Sequence, residues 1–320
     1  MSVPAGKVNE TASGVTLSQI DYGLLRRQHL VERGAGLFLM VCAAVSVLTT
    51  VGIIVILLTE AVRFFSSESI TGFLFGSRWT ALFRNDQSFG VLSLVSATMM
   101  ITLLAMLLAI PVGLMSAIYL SEYASSRSRS MLKPALELLA GIPTIIYGYF
   151  ALTFITPEIV QRLWPEASVY NVLAAAIAVG VMIVPLIASL SEDAIRSVPS
   201  ALREGAYAMG ATKLEVASRV IVPAALSGIV ASFILAASRA VGETMIVALA
   251  AGSRAQVASD PLQPSQTMTG YIVQVVSGDV VRGSNIYFSL YAVGLLLFFM
   301  TLALNVFSYW FVRKFREEYE

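Results

Sequence analysis

The chain has 320 residues, of which 57% are apolar and only 13% charged, and its net charge is +1. A soluble domain carries about 25% charged residues, so this composition excludes a water-soluble globule of ordinary make-up, and the near-zero net charge excludes an obvious basic face for nucleic acid. The single cysteine, Cys42, lies in an apolar run and the single histidine, His29, in a charged stretch, which leaves no disulfide framework and no cysteine-based metal site.

Residues 1–20 are rich in Ser, Thr, Gly and Val without helical period, and are expected to form a mobile tail within an N-terminal segment 1–33. Beyond it, apolar runs recur at 34–58, 90–120, 134–156, 171–191, 223–252 and 286–312. A bilayer core of roughly 30 Å needs about 20 apolar residues in a helix, and a helix satisfies its own backbone where lipid cannot. The expectation is an all-α integral membrane protein with six spans in a domain 34–312, closed by a short tail 313–320. The first run is too long for a signal-peptide core, and Thr59, Glu60 and Ala61 lead into Arg63 without a clear cleavage site, so it reads as a retained anchor.

Basic residues orient the spans. Lys7, Arg26, Arg27, Arg33, Arg127, Arg129, Lys133, Arg196, Arg203, Lys213, Arg219, Arg313, Lys314 and Arg316 fall on one side. Arg63, Arg78, Arg84, Arg162, Arg254 and Arg282 fall on the other, and Arg239 lies inside a span. Both termini are therefore expected in the cytoplasm. The outer loop 61–89 carries Phe64, Phe65, Phe73, Phe75, Trp79 and Phe83 among charges, and the simpler reading is an aromatic belt at the membrane interface. A second outer loop, 253–285, contains the turn-forming Asp260-Pro261-Leu262-Gln263-Pro264 and is expected to fold over the outer mouth. Pro111, Pro143 and Pro185 sit within apolar runs, where each removes a donor and can bend the helix.

The stretch 192–222 has a different texture. Ala201, Leu202, Ala206, Ala208, Met209, Leu214, Val216 and Ala217 alternate with Arg203, Glu204, Lys213, Glu215 and Arg219, and Gly205 and Gly210 interrupt them. It predicts a helix, a turn at Gly210 and a second short helix ending before Pro223. Such a hairpin suits docking onto another protein, and equally a helix lying on lipid headgroups. Glu192 and Asp193 at its start are expected to be solvated helix caps.

Glu204-Gly205-Ala206-Tyr207-Ala208-Met209-Gly210, then nine residues, then Val220-Ile221-Val222-Pro223, resembles the EAA loop of ABC importer permeases, with Gly205, Val220 and Val222 as small or aliphatic departures. The resemblance implies a type I ABC importer permease bundle whose cytoplasmic coupling helices seat on an ATPase subunit at Glu204, Gly205, Ala206, Gly210 and Pro223. No G-x-x-x-x-G-K-[ST] phosphate loop occurs in the chain, so ATP and Mg are expected on a partner chain and no cofactor or metal on this one. Ile118–Ala124, Glu137–Pro143 with Tyr147-Gly148, and Arg239–Met245 resemble the phosphate-specific Pst permeases, while Gln266–Thr269 and Gly278-Asp279 favour the PstC type over the PstA type. That family implies a PstA-like second permease, a pair of PstB-like ATPases, a periplasmic PstS-like phosphate-binding protein and a bacterial inner membrane. Sulfate or molybdate is the alternative cargo, and an ion-coupled secondary transporter the alternative class.

Two charges fall at membrane depth. Arg239 lies sixteen residues into the fifth run, with Glu243 one turn further on the same helical face, continued by Ser232 and Ala236. A charge at the bilayer centre costs about 2.5–3.5 kcal/mol on insertion scales, so both are expected to face protein or water. A guanidinium offers planar donors to an oxyanion. Arg239, Glu243 and Ser232 are therefore candidate pathway residues, with a structural Arg239–Glu243 pair as the alternative. Glu137 is expected in the first turn of the third span, where a helix start favours an anion.

Overall fold

The computed structural model describes the backbone of residues 22–83 and 86–315, and side chains over 32–83 and 86–314. The tail expected over 1–20, the His29 side chain, Arg84 and the last residues of the C-terminal tail lie outside the described residues. The chain divides into two units, 1–56 and 57–320. Helix α1 (Tyr22–Ser67) outruns the expected first span at both ends. Within the first unit its described side chains are mostly exposed and largely apolar, Leu37, Phe38 and Leu48 among them, a surface suited to a non-aqueous solvent.

The second unit carries the remaining helices. The short α2 (Ile70–Phe75) is capped by the Ser69 hydroxyl, which accepts from Gly72 N. Helix α3 (Leu92–Ile118) closes in a π-helical turn at Tyr119–Tyr123. Next come α4 (Ser126–Ala140), α5 (Thr144–Phe150) with a π-helical continuation to Val160, α6 (Gln161–Leu163) and α7 (Val172–Arg196). Helices α8 (Ser200–Ala208), α9 (Lys213–Glu215) and α10 (Val222–Ala224) precede α11 (Leu226–Val241) and α12 (Met245–Ala250). Helices α13 (Met268–Ser277) and α14 (Asn285–Phe315) complete the described chain.

Among the described residues, four helical stretches are long and apolar enough to cross a membrane: Glu32–Ser67, Leu92–Tyr123, Val172–Arg196 and Asn285–Lys314. Two bent pairs, Ser126–Ala140 with Thr144–Leu163 at 85° and Lys213–Ala224 with Leu226–Val241 at 71°, bring the number to six if each counts as one span. The third expected span therefore starts elsewhere. Pro134 lies inside α4, and the chain turns at Gly141–Pro143, where Pro143 precedes the first residue of α5. No residue of α4 is fully buried. Glu137 accordingly sits in the last turn of α4 rather than at a helix start.

Helix α3 packs most extensively on α7. Ala105, Ala109 and Ala176 are fully buried there, and small side chains let the two backbones approach closely, as membrane helices require when lipid is as apolar as the protein. The outer loop differs from the expected belt. Phe64, Phe73, Trp79 and Phe89 turn inward, and Trp79 meets Tyr271 of α13 edge-to-face at 4.8 Å. Ring pairs Phe64–Phe73 at 5.6 Å and Phe64–Phe89 at 5.2 Å have the same geometry, so the rings gain more against one another than spread along an interface. Only Phe75 and Phe83 stay exposed as the belt reading expected.

Helix α5 lies against α12 with almost no gap. A Cβ built at Gly148 would stand 3.1 Å from both Met245 O and Ile246 Cα. Backbone atoms cannot step aside as a flexible side chain can. Gly148→Val is expected to cost about 1–3 kcal/mol by overpacking and to lower the thermal unfolding midpoint of the detergent-solubilised protein. An unchanged midpoint would show that α12 is free to move away from α5.

Candidate translocation site and coupling loop

The expected hairpin is present, with one difference: Gly205 lies inside α8 and does not interrupt it. The turn comes at Gly210, whose φ of 84° is a left-handed conformation that costs glycine little and a branched residue much. Gly210 N donates to Tyr207 O at 2.9 Å and Ala211 N to Ala206 O at 3.2 Å, which closes α8. The chain restarts in a capping box: Glu215 N donates to Thr212 Oγ1 at 3.4 Å, and Thr212 N to Glu215 Oε2 at 2.9 Å.

The base of the hairpin is fastened and its tip is free. Val216, Ala217 and Ile221 are buried, and Val216 and Ile221 pack with Ala117, Ile195 and Ile229. Arg203 donates from Nη1 to Val198 O and from Nη2 to Ile195 O, both at 2.8 Å, and from Nε to Glu122 Oε1 at 3.2 Å. At the tip, Glu204, Gly205, Tyr207, Met209, Gly210 and Leu214 are exposed, while Ala206 is half-buried. Glu204 makes no ion pair among the described residues. Pro223 is exposed two residues before Ala225, at the 71° bend into α11.

The fifth span is not one helix. Helix α11 stops at Val241, Gly242 follows, and Glu243 occupies the break before α12. The Glu243 carboxylate accepts from Met245 N at 3.1 Å and Ile246 N at 3.2 Å, and its own carbonyl accepts from Thr269 Oγ1 at 2.6 Å. The i, i+4 pairing with Arg239 therefore does not form. Two orphan amides at the start of α12 claim the carboxylate, because a helix start in a buried setting has unsatisfied donors and a positive dipole end. Ser232 also faces elsewhere than expected: its Oγ is 2.8 Å from Ser191 Oγ, and both serines are fully buried between α11 and α7.

Arg239 is exposed and lines a cavity of about 330 Å³ formed by α4, α7 and α11, with Lys133, Glu137 and Glu192 as its other charged residues. Its Nη2 lies 4.0 Å from Met182 Sδ, and no carboxylate pairs with it among the described residues. The structure thus brings Arg239 to a cavity, Glu243 to a break and Ser232 to a helix seam.

Glu192 overturns its expected role as a solvated cap. It is fully buried and paired with Arg129, with Lys133 Nζ at 3.3 Å from its Oε2 and with Arg196 Nη1 at 3.7 Å from its Oε1. Lys133 also reaches Asp193 Oδ1 at 3.4 Å. A signal for this was present in the chain: Arg129 and Lys133 are four apart on one face of α4, as are Glu192 and Arg196 on α7. Nothing in the sequence set those two faces opposite each other.

A family model described as binding-protein-dependent transport system inner membrane component matches residues 109–317. Among curated relatives, the probable ABC transporter permease protein YqgH of Bacillus subtilis is 31% identical over 278 residues, covering 86% of this chain and 89% of that protein. The phosphate transport system permease protein PstC of Mesorhizobium japonicum is 32% identical over 260 residues, 75% and 78% of the two chains. In fold, a bacterial ABC transporter involved in the import of alginate aligns with TM-score 0.58 at 15% identity, over 91% of this chain and all of that one. The MetNI methionine ABC transporter aligns with TM-score 0.52 at 20% identity, over 70% and 93%. This multi-pass membrane chain belongs to the binding-protein-dependent transport system inner membrane component family, with the type I ABC importer permease fold, and is a transporter subunit rather than an enzyme.

Proposed function

We propose that this chain is the PstC-type permease of an ATP-driven importer of inorganic phosphate in a bacterial inner membrane, both termini facing the cytoplasm. The observation that carries the reading is the run of relatives named phosphate transport system permease protein PstC, at 29–32% identity over about three quarters of this chain. The exposed hairpin tip from Glu204 to Gly210 supports an attached partner: a fastened base with an unpaired acid and exposed apolar side chains is how a docking knob is built. Its partner is a PstB-like ATPase, which binds ATP and Mg. A PstA-like permease supplies the other half of the path and faces Arg239, and a PstS-like periplasmic protein delivers the anion.

In this reading Arg239 gives the anion a transient contact. Glu243 holds the break between α11 and α12, keeping α12 placed without neutralising Arg239. Ser232 ties α11 to α7, so that the helix bearing Arg239 moves with the cavity wall. Breaks and bends at depth give a bundle the means to open to either side in turn.

In the reconstituted complex, Arg239→Gln is expected to reduce uptake of labelled phosphate at least a hundredfold while the subunits still co-purify; full uptake by that variant, or loss of the assembled complex, would sink the pathway role. Sulfate or molybdate uptake in place of phosphate would remove the cargo assignment and leave the permease reading standing. Gly210→Val places a branched residue at φ 84° and is expected to strip the ATPase from the purified permease with the membrane domain still folded. Retention of a fully coupled ATPase would move the docking site elsewhere.

A further inference from the structure

Glu192 has more cationic neighbours than one buried carboxylate needs. Arg129 pairs with it from α4, and Arg196 stands one turn along α7 with Nη1 3.7 Å from its Oε1. Lys133 is held differently. Its ammonium is divided between Glu192 Oε2 at 3.3 Å and Asp193 Oδ1 at 3.4 Å, and its side chain is one-third exposed. The contact to Glu192 lacks hydrogen-bond alignment, and Oε2 accepts no hydrogen bond among the described residues. Lys133 and Arg239 are the two cations lining the cavity between α4, α7 and α11.

We propose that Lys133 and Arg239 form a two-cation oxyanion station in this cavity, and that an arriving phosphate takes the Lys133 ammonium away from Glu192. This rests on the phosphate-importer reading given above. Stripping a buried carboxylate of all its partners would be strongly destabilising. Here Arg129 and Arg196 remain, so the loan of Lys133 leaves Glu192 compensated. A lysine suits the task, being a compact charge on a flexible stem, whereas the planar Arg129 guanidinium is pre-organised to stay. Glu192 is the positioning residue: it holds the ammonium at the cavity wall when no anion is present and takes it back on release. Glu137, on the same cavity, adds a second carboxylate that keeps anion retention weak. Lending Lys133 also releases the Asp193 contact, so anion arrival loosens α4 from α7 beside the 85° elbow at Gly141–Pro143.

The test uses the complete transporter in proteoliposomes with ATP inside, and reads inhibition of uptake by phosphate preloaded in the lumen against chloride at matched ionic strength. Lys133→Gln is expected to raise the half-inhibiting lumenal phosphate about tenfold, Lys133→Arg to restore it only in part, and Glu192→Gln to lower it several-fold. Any inhibition through the ATPase is common to all of these proteins, so the difference between them isolates the cavity. Half-inhibiting concentrations that coincide for wild type and Lys133→Gln, or a Lys133→Gln complex that no longer assembles, would overturn the station and leave a structural ion cluster. Failure of the underlying reading looks different: the wild-type complex would then take up no phosphate at all.

Discussion

Lipid offers no hydrogen bonds, so every place where this protein bends a span has to satisfy the backbone groups that the bend sets free. At the elbow between α4 and α5, the Tyr147 hydroxyl donates to Leu139 O at 2.8 Å. At the break between α11 and α12, the Glu243 carboxylate takes two amides. At the start of α7, Asn171 is fully buried and its Oδ1 accepts from Ala174 N at 2.7 Å. These polar side chains are affordable at depth because each answers a specific orphan donor or acceptor. With the breaks satisfied, the helices can depart from straight crossings and leave a cavity among them.

The charges follow a related logic. Among the described residues the buried acids are each assigned to a partner within the protein, Glu243 to amides and Glu192 to three cations. Arg239, by contrast, lines the cavity with no carboxylate against it among the described residues. A transporter of anions needs this asymmetry. A fully compensated arginine would not attract cargo, and an arginine with nothing near it to compete would not let cargo go. In the pathway role proposed for Arg239, the carboxylates of Glu137 and Glu192 on the same cavity would supply the competition at a distance rather than by direct pairing.

Much of the architecture was legible from apolar runs of the right length, and the hairpin at 198–222 was legible from Gly210 and the alternation around it. The misplaced helix ends share one cause. Periodicity assumes that a helix continues while its residues stay apolar, but Gly242 and the capping reach of Glu243 end α11 inside an apolar run, and Gly141–Pro143 does the same between α4 and α5. The pairing of Arg239 with Glu243 and the placing of Glu137 at a helix start both inherited that assumption. Glu192 and the aromatic ring cluster were missed for another reason: burial depends on which distant segment arrives opposite, as α13 does for Trp79 and α4 does for Glu192. Local pattern holds no record of that.

The proline inside α7 has a mechanical meaning. Its 25 residues span about 37 Å at 1.5 Å per residue, and Pro185 has no backbone N–H to give to the helix. The arm beyond Pro185 is about 17 Å long and carries Glu192, and Arg203 donates to the carbonyl of Ile195 near its end. A tilt of about 5° of this arm swings its end by about 1.5 Å, enough to make or break an ion contact. With docking at the hairpin tip as proposed above, force there would act on the cavity through a short lever that also rests on α3, where Gly113 lies against Ile187.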